Sequence, residues 1–162
     1  MYKKENNYAF IDAQNTHRSI LDLGWKIDWK KFRIYLKEKY SVTKAFLFIG
    51  YIQKNKALYK KLQDSGFICI FKDIVKINKT LIKGNVDAEL VLKVMIEFSN
   101  FEQGIIVSGD GDFGCLIEYL DSQNKLKAVL VPNMYKYSKL IKKRAKKKIY
   151  FLNDTKNILS LK

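Results

Sequence analysis

The stretch IIVSGDGDFGCL, residues 105–116, begins as an apolar run and continues into two aspartates, Asp110 and Asp112, on either side of a glycine. An uninterrupted apolar run is typical of a strand that is buried on both faces of a parallel sheet. A buried charge is costly unless solvent or an opposite charge compensates it. The two carboxylates at the end of this strand therefore predict either a solvated turn or a cation site.

Strand-like and helix-like segments alternate on both sides of this stretch. The predicted strands are residues 8–12, 44–52, 67–72, 104–108, 127–131 and 148–152. The predicted helices are residues 15–23, 29–40, 55–66, 86–98, 113–121 and 137–146. Residues 73–85 alternate apolar and polar side chains and predict a strand extension followed by a loop.

This alternation predicts an α/β protein with a three-layer Rossmann-like fold, in which a mainly parallel central sheet of five to six strands carries helices on both faces. No repeat, linker or low-complexity block interrupts the 162 residues. We therefore predict a single domain over residues 1–162. The part that carries the acidic site spans about 8–132, and a basic helix and a short strand follow at 136–152.

The balance of charge is strongly basic. The chain has 31 Lys and Arg against 16 Asp and Glu, a formal charge of +15. Such a surplus favours a polyanionic partner, with nucleic acid first and an anionic membrane surface second. Simple abundance of lysine is the alternative interpretation.

Other bulk features predict a cytoplasmic protein. The apolar runs are far shorter than the roughly 20 residues that cross a bilayer, and the first residues lack a signal-peptide core. Cys69 and Cys115 have no metal-binding or redox spacing. We expect both to pack as small hydrophobic side chains in a reducing compartment.

A second acidic motif, FIDAQN, places Asp12 at the end of the first predicted strand and Asn15 at the start of a helix. Ligands of open α/β sheets bind beyond the carboxyl ends of strands, where the strand order reverses. If the first and fourth predicted strands are neighbours there, Asp12, Asp110 and Asp112 converge, and Asp87 adds a fourth acid. Oxygen-only clusters suit Mg²⁺ or Mn²⁺. The local alternative is that these aspartates only cap helices and turns.

The motifs YAFIDAQN, KGNVD and IIVSGDGDF, in this order and at these separations, resemble the NYN domain family, in its LabA-like branch, of the PIN-like nuclease superfamily. The resemblance spans roughly residues 8–132. It implies a PIN-like fold and a metal-dependent ribonuclease with Mg²⁺ or Mn²⁺ as cofactor.

Carried over to this sequence, the resemblance implies four catalytic and metal-binding acids: Asp12, Asp87, Asp110 and Asp112. It implies three supporting residues that orient groups or contact phosphate: Asn15, Ser108 and Lys83. Helices of the family often carry a second acid after KGNVD, where this chain has Lys93, so the number of ions stays open. A non-catalytic RNA-binding module with a retained acidic pocket is the alternative function. A phosphatase fits less well, because Gln14 stands where a second aspartate is usual.

The segment KYSKLIKKRAKKKIY, residues 136–150, contains no acid. It is either a solvated helix face or a track for the phosphate backbone, which such contacts position without reading sequence. The candidate nucleic-acid contacts are Lys142, Lys143, Arg144, Lys146 and Lys147. The predicted partner is RNA, with DNA and a homodimer as open alternatives and no membrane. His17, the single histidine, is a conceivable general base but is better explained as a groove residue.

Overall fold

The computed structural model describes residues 4–77, 80–82 and 85–162. Its strands are β1 (Asn7–Asp12), β2 (Val42–Tyr51), β3 (Phe67–Asp73), β4 (Val75–Ile77), β5 (Thr80–Ile82), β6 (Gly104–Val107), β7 (Leu126–Val131) and β8 (Ile149–Phe151). Its α-helices are α1 (Ala13–Leu21), α2 (Trp29–Tyr40), α3 (Lys56–Asp64), α4 (Asp87–Ile96), α5 (Gly114–Ser122), α6 (Lys139–Ala145) and α7 (Lys156–Leu159).

Six of these strands form one sheet in the order β3-β2-β1-β6-β7-β8. Every neighbouring pair in it is parallel. The chain moves outward from β1 through β2 to β3, and later from β6 through β7 to β8, so the strand order reverses between β1 and β6. There Ile11 is in register with Val107. The predicted α/β fold with a parallel sheet is confirmed.

The side chains of β1 alternate between two buried layers. Ala9 and Ile11 belong to the layer under α1, α2 and α3, whereas Tyr8 and Phe10 belong to the layer under α4, α5 and α6. This alternation follows from the two-residue period of a strand. Burial of each large apolar side chain contributes roughly 1.5–3 kcal/mol, so both helix layers are fixed to the sheet by the residues of its central strands.

The predicted strand extension and loop at 73–85 was wrong in part. β4 and β5 pair antiparallel, with Val75 opposite Ile82 and Ile77 opposite Thr80, and form a separate two-stranded sheet. Alternating apolar and polar residues are typical of a hairpin as well as of a single strand, so the pattern did not separate the two. Residues 78–79 and 83–84 of this segment lie outside the described residues.

Several predicted helix ends also shift. Helix α1 begins at Ala13 rather than at residue 15, because Asp12 is its N-cap and Oδ1 of Asp12 accepts a hydrogen bond from the Asn15 N–H (3.2 Å). Helix α6 is shorter than the predicted 137–146, since Ser138 caps its start and Lys146, at φ 55°, ends it. None of the described helices is long and apolar enough to cross a membrane.

The two cysteines differ in exposure. Cys69 is half-buried against the core, and burial raises the pKa of its thiol to about 11. Cys115 is exposed, because it lies on the outer side of α5, whose buried side includes Leu116, Ile117 and Leu120. The prediction that both pack as small hydrophobic side chains was therefore wrong for Cys115.

Candidate metal centre at the edge of the sheet

Three aspartates from distant parts of the chain meet at the carboxyl edge of the sheet. Asp12 ends β1, Asp110 follows β6, and Asp87 opens α4. Each offers one carboxylate oxygen, and the three oxygens all lie within 4.8 Å of one another. Parallel pairing of β1 and β6 brings two of the acids together, and the packing of α4 over the sheet adds the third.

Strand alternation explains why Asp12 faces α4. Asp12 continues the series of Tyr8 and Phe10, which point into the layer under α4. In the same layer Leu90 and Val94 bury the inner side of α4. The first turn of that helix therefore lies over the end of β1, which is where Asp87 is needed to complete the group.

The loop after β6 is fixed by side-chain hydrogen bonds from two of the predicted supporting residues. Asn15 Oδ1 accepts from the Gly109 N–H (2.8 Å). Ser108 Oγ accepts from the Asp110 N–H (3.1 Å) and donates to Asp12 Oδ2 at a long 3.5 Å. These contacts join the end of β1 to the loop that holds Asp110, so Asn15 and Ser108 position the acids.

Two glycines of this loop allow a neighbouring segment to approach closely. A Cβ at Gly109 would lie 3.1 Å from Cβ of Tyr137, and a Cβ at Gly111 would collide with the Ser138 side chain. The Ser138 N–H also donates to the Gly109 carbonyl (3.0 Å). Neither glycine has a positive φ. Their role is therefore to admit residues 136–138.

Burial and mutual repulsion disfavour the charged form of the aspartates. Asp12 is 6% exposed, and burial is the largest cause that raises its pKa, with the charge of Asp110 as a further one. Burial also raises the pKa of Asp87 to about 6, and the charges of Asp110 and Asp12 act in the same direction. Such shifts are typical of functional carboxylates.

The donor set fits a hard divalent cation. Oδ2 of Asp87 is buried and has no hydrogen-bond partner among the described residues. An unpaired buried carboxylate oxygen is destabilising, whereas a cation bound between the three acids would compensate it. Carboxylate oxygens alone are the ligands that Mg²⁺ and Mn²⁺ prefer.

The other predicted acid lies beside this group. The Asp112 N–H donates to Asp110 Oδ1 (2.9 Å), and a side-chain hydrogen bond between Asp87 and Asp112 further raises the pKa of Asp87, because it favours the protonated form of Asp87. The described group of three acids does not include Asp112. Lys83, the remaining predicted supporting residue, lies outside the described residues.

Lys93 is directed away from the acids. Its ammonium pairs with Glu97 (3.2 Å), one turn further along α4, and lies 5.2 Å from the centre of the Phe46 ring. A pair at i and i+4 on a helix stabilises it modestly, by about 0.2–0.5 kcal/mol. Lys93 therefore has a structural contact of its own, and it is not among the described residues that line the acidic cavity.

The acids line an open cavity of about 360 Å³. Its wall also contains residues that the sequence motifs did not single out: Gln14, Arg18, Asn85 and Val86. Arg18 follows Asn15 by three residues and Gln14 by four, so all three lie on one face of α1. Recognition that α1 starts directly after Asp12 would have predicted this. A guanidinium beside the acids suits the oxygens of a phosphate group.

The start of α4 is held by contacts with β3. Asn85 Oδ1 accepts from the Asp87 N–H (2.8 Å), and Lys72 Nζ donates to the Asn85 carbonyl. Lys72 also pairs with Glu89 (3.3 Å). Glu89 thus faces β3 and not the acids.

The basic C-terminal segment pairs in part with α5. Arg144 contacts Glu118 (2.8 Å), and Lys146 and Lys148 contact Asp121 (3.3 and 2.7 Å). Three of the candidate nucleic-acid contacts are exposed lysines that make no ion pair within the described residues, and we call them the open lysines: Lys142, Lys143 and Lys147. Among the predicted phosphate contacts, these three are the lysines for which no described acid competes.

His17 lies apart from the acids. It lines a second cavity, of about 320 Å³, against β2 and α3, and it is not among the residues that line the acidic cavity in the described structure. A general base must reach the proton that it abstracts. The placement of His17 therefore favours the groove residue over the general base.

Comparisons with known proteins agree with this fold. The sequence profile of the family described as NYN domain matches residues 8–152. No curated protein has a significant sequence match to the chain. The crystal structure of VPA0982, a protein of unknown function from Vibrio parahaemolyticus RIMD 2210633, is similar, with a TM-score of 0.78 and 22% sequence identity over 98% of this chain and 99% of that chain. At this identity the likeness supports the fold alone.

Proposed function

The chain belongs to the NYN domain family, and from this premise we propose that it is a metal-dependent ribonuclease that hydrolyses RNA phosphodiesters at its three-aspartate group. The family has a nuclease-like fold and its domains generally act on RNA. The observation that carries the proposal is the convergence of carboxylate oxygens of Asp12, Asp87 and Asp110 within 4.8 Å, with a buried oxygen of Asp87 that has no hydrogen-bond partner among the described residues.

Asp12, Asp87 and Asp110 are the residues that would hold Mg²⁺ or Mn²⁺, and Asp112 stands beside them. Such an ion supplies Lewis acidity toward a phosphoryl oxygen and an attacking water. The carboxylates bind the cation and do not attack the substrate covalently. Asn15 and Ser108 keep the Asp110 loop against the end of β1 through the hydrogen bonds described above.

The cations around the site have separate tasks. Arg18 lines the acidic cavity, where its guanidinium can bind a phosphate oxygen of the RNA backbone. The open lysines of the C-terminal segment add electrostatic attraction for the strand without sequence selectivity. Arg144 and Lys146, which pair with α5, contribute less because acids already partly neutralise them.

Labelled RNA incubated with the purified protein tests the proposal. We expect cleavage with Mn²⁺ and none with a chelator. Asp110→Asn should abolish cleavage while RNA affinity stays unchanged, because the lost carboxylate binds the ion and not the strand. Asp154→Asn, at an exposed position after β8, is the matched control and should cleave normally. Undiminished cleavage by Asp110→Asn would show that another centre is responsible.

A non-catalytic RNA-binding module is the second candidate, and Lys93 is the observation that favours it. The lysine occupies a position at which family members often have an acid, and it pairs with Glu97. On this alternative the wild type and Asp110→Asn bind RNA equally and neither cleaves it. The same experiment thus separates the two functions.

A further inference from the structure

The second cavity opens on the side of the sheet opposite to α4. It has a volume of about 320 Å³. The described residues that line it are mostly apolar, and none of them is Asp, Glu, Lys or Arg. Two aromatic side chains, Trp29 and Tyr59, line it together with aliphatic residues from β2 and α3. Polar groups come from Gln14, His17 and Asn55.

This cavity adjoins the acidic one. Gln14 lines both cavities, and Ala13, which lines the apolar cavity, is bonded directly to Asp12. The two cavities therefore meet at the first turn of α1. A strand of RNA with a phosphate at Asp12 would pass this turn at the carboxyl edge of the sheet.

We propose that the apolar cavity binds one unpaired nucleobase of the RNA whose phosphate lies at the acidic group. The inference rests on the proposed function and adds a base subsite to it. No Lys or Arg stands among the described lining residues to pair with a phosphate, whereas aromatic and aliphatic walls suit the flat face of a base. Amide and imidazole groups suit its polar edge.

The size of the cavity suits a small planar group such as a base. Its volume of about 320 Å³ lies at the lower end of small-molecule pockets, which span roughly 300–1,000 Å³. A base in a duplex is stacked and paired, and it must leave the helix to enter such a pocket, at a cost of a few kcal/mol. The subsite therefore makes the protein prefer single-stranded over double-stranded RNA.

The aromatic walls are already fixed in place. The Tyr59 hydroxyl accepts from the Ile52 N–H (2.8 Å) and donates to the Gly50 carbonyl (3.0 Å). Trp29 packs edge-on against Phe67, with ring centres 5.8 Å apart. Because these contacts hold the rings without a ligand, little ordering entropy opposes the entry of a base.

Leu58 is the lining residue best suited to substitution. It is 43% exposed at the rim, so its replacement disturbs the core little. Leu92, on α4 and 61% exposed, is the matched control because it lines neither cavity. We would introduce Leu58→Ser and Leu92→Ser separately into Asp110→Asn protein, so that cleavage does not consume the RNA.

The experiment compares a labelled short oligoadenylate with the same sugar-phosphate backbone lacking its bases, both in chelator. Removal of the bases should weaken binding about 5- to 150-fold, the effect of a base stacked on an aromatic side chain. Leu58→Ser should weaken binding of the oligoadenylate about fourfold, the effect of one uncovered methylene group, and leave the abasic strand unaffected. Leu92→Ser should change neither.

An equal effect of Leu58→Ser on both strands, or no effect on either, would overturn the base subsite. Cleavage by the wild type with Mn²⁺ is measured separately. Cleavage together with such an equal effect refutes the subsite and leaves the nuclease proposal intact. A base-dependent effect without cleavage refutes the nuclease proposal and leaves the subsite intact.

Discussion

Replacing Asp87 with asparagine should stabilise the metal-free protein. Burial and the neighbouring acids raise the pKa of Asp87 from its ordinary 3.8 to about 6. At about 1.36 kcal/mol per pH unit, this difference corresponds to about 3 kcal/mol of destabilisation by the ionised carboxylate. Asp87 is partly exposed, so solvent screening lowers the expected gain to about 1–2 kcal/mol.

The effect has a defined pH dependence. The folded state binds the Asp87 proton more tightly than the unfolded state, so the carboxylate costs nothing below its unfolded pKa of 3.8. The cost grows as the pH rises from about 4 to about 6 and is complete above that range. The advantage of Asp87→Asn should therefore be absent near pH 4 and full near pH 7.5.

Thermal unfolding in chelator measures this gain. For a protein of this size, 1 kcal/mol shifts the midpoint by about 2–4 °C, so we expect an increase of about 2–8 °C near pH 7.5. Asp154→Asn removes the same charge at an exposed position and should leave the midpoint unchanged. A variant that is less stable than the wild type, or that gains equally near pH 4, would refute the reasoning.

Further predictions concern the ion, the lysines and the loop glycines. Mn²⁺ at 100 times its dissociation constant should stabilise the wild type by about 2.7 kcal/mol in thermal melts and Asp110→Asn much less; equal shifts would place the ion elsewhere. Alanine substitution of the open lysines should lower the salt slope of single-stranded RNA binding by about 2, one contact contributing about 0.7. An unchanged slope would remove this segment from the RNA path, and the control substitutes three exposed lysines near or in α2: Lys26, Lys30 and Lys37. Gly111→Ala should destabilise by about 1–3 kcal/mol in urea titrations, because its Cβ meets Ser138. Gly114→Ala, whose Cβ has only ordinary contacts, should be tolerated, and equal losses would contradict this explanation.

The sequence predicted the acids that lie at the ends of strands. Asp12 and Asp110 each follow an apolar run, and the rule for parallel sheets places such ends together at the reversal of strand order. The family profile confirms the NYN resemblance, while the LabA-like branch, the cytoplasmic location and the catalytic role of each acid stay predictions. Asp87 was expected to join the group before the resemblance was considered, although nothing local to its helix distinguishes it from a capping residue.

Other features depend on contacts between distant segments, which local patterns do not contain. The ion pair of Arg144 with Glu118 joins α6 to α5, so an inspection of residues 136–150 alone found no acid. The close approach of Ser138 to Gly111 is likewise tertiary. Arg18 was missed for a different reason, since the predicted start of α1 was two residues late and left out Gln14, with which Arg18 shares a face of the helix.

The contact between Ser138 and the Gly109 loop has a consequence for any shortened form of the protein. The segment that contains the open lysines also stabilises the loop that holds Asp110, because the Ser138 N–H donates a hydrogen bond to the Gly109 carbonyl (3.0 Å). A truncation after Pro132 would remove this hydrogen bond together with the basic helix. Such a fragment would lose the fixed placement of Asp110 as well as the proposed RNA contacts. The smallest active fragment is therefore expected to extend well past the last acidic motif.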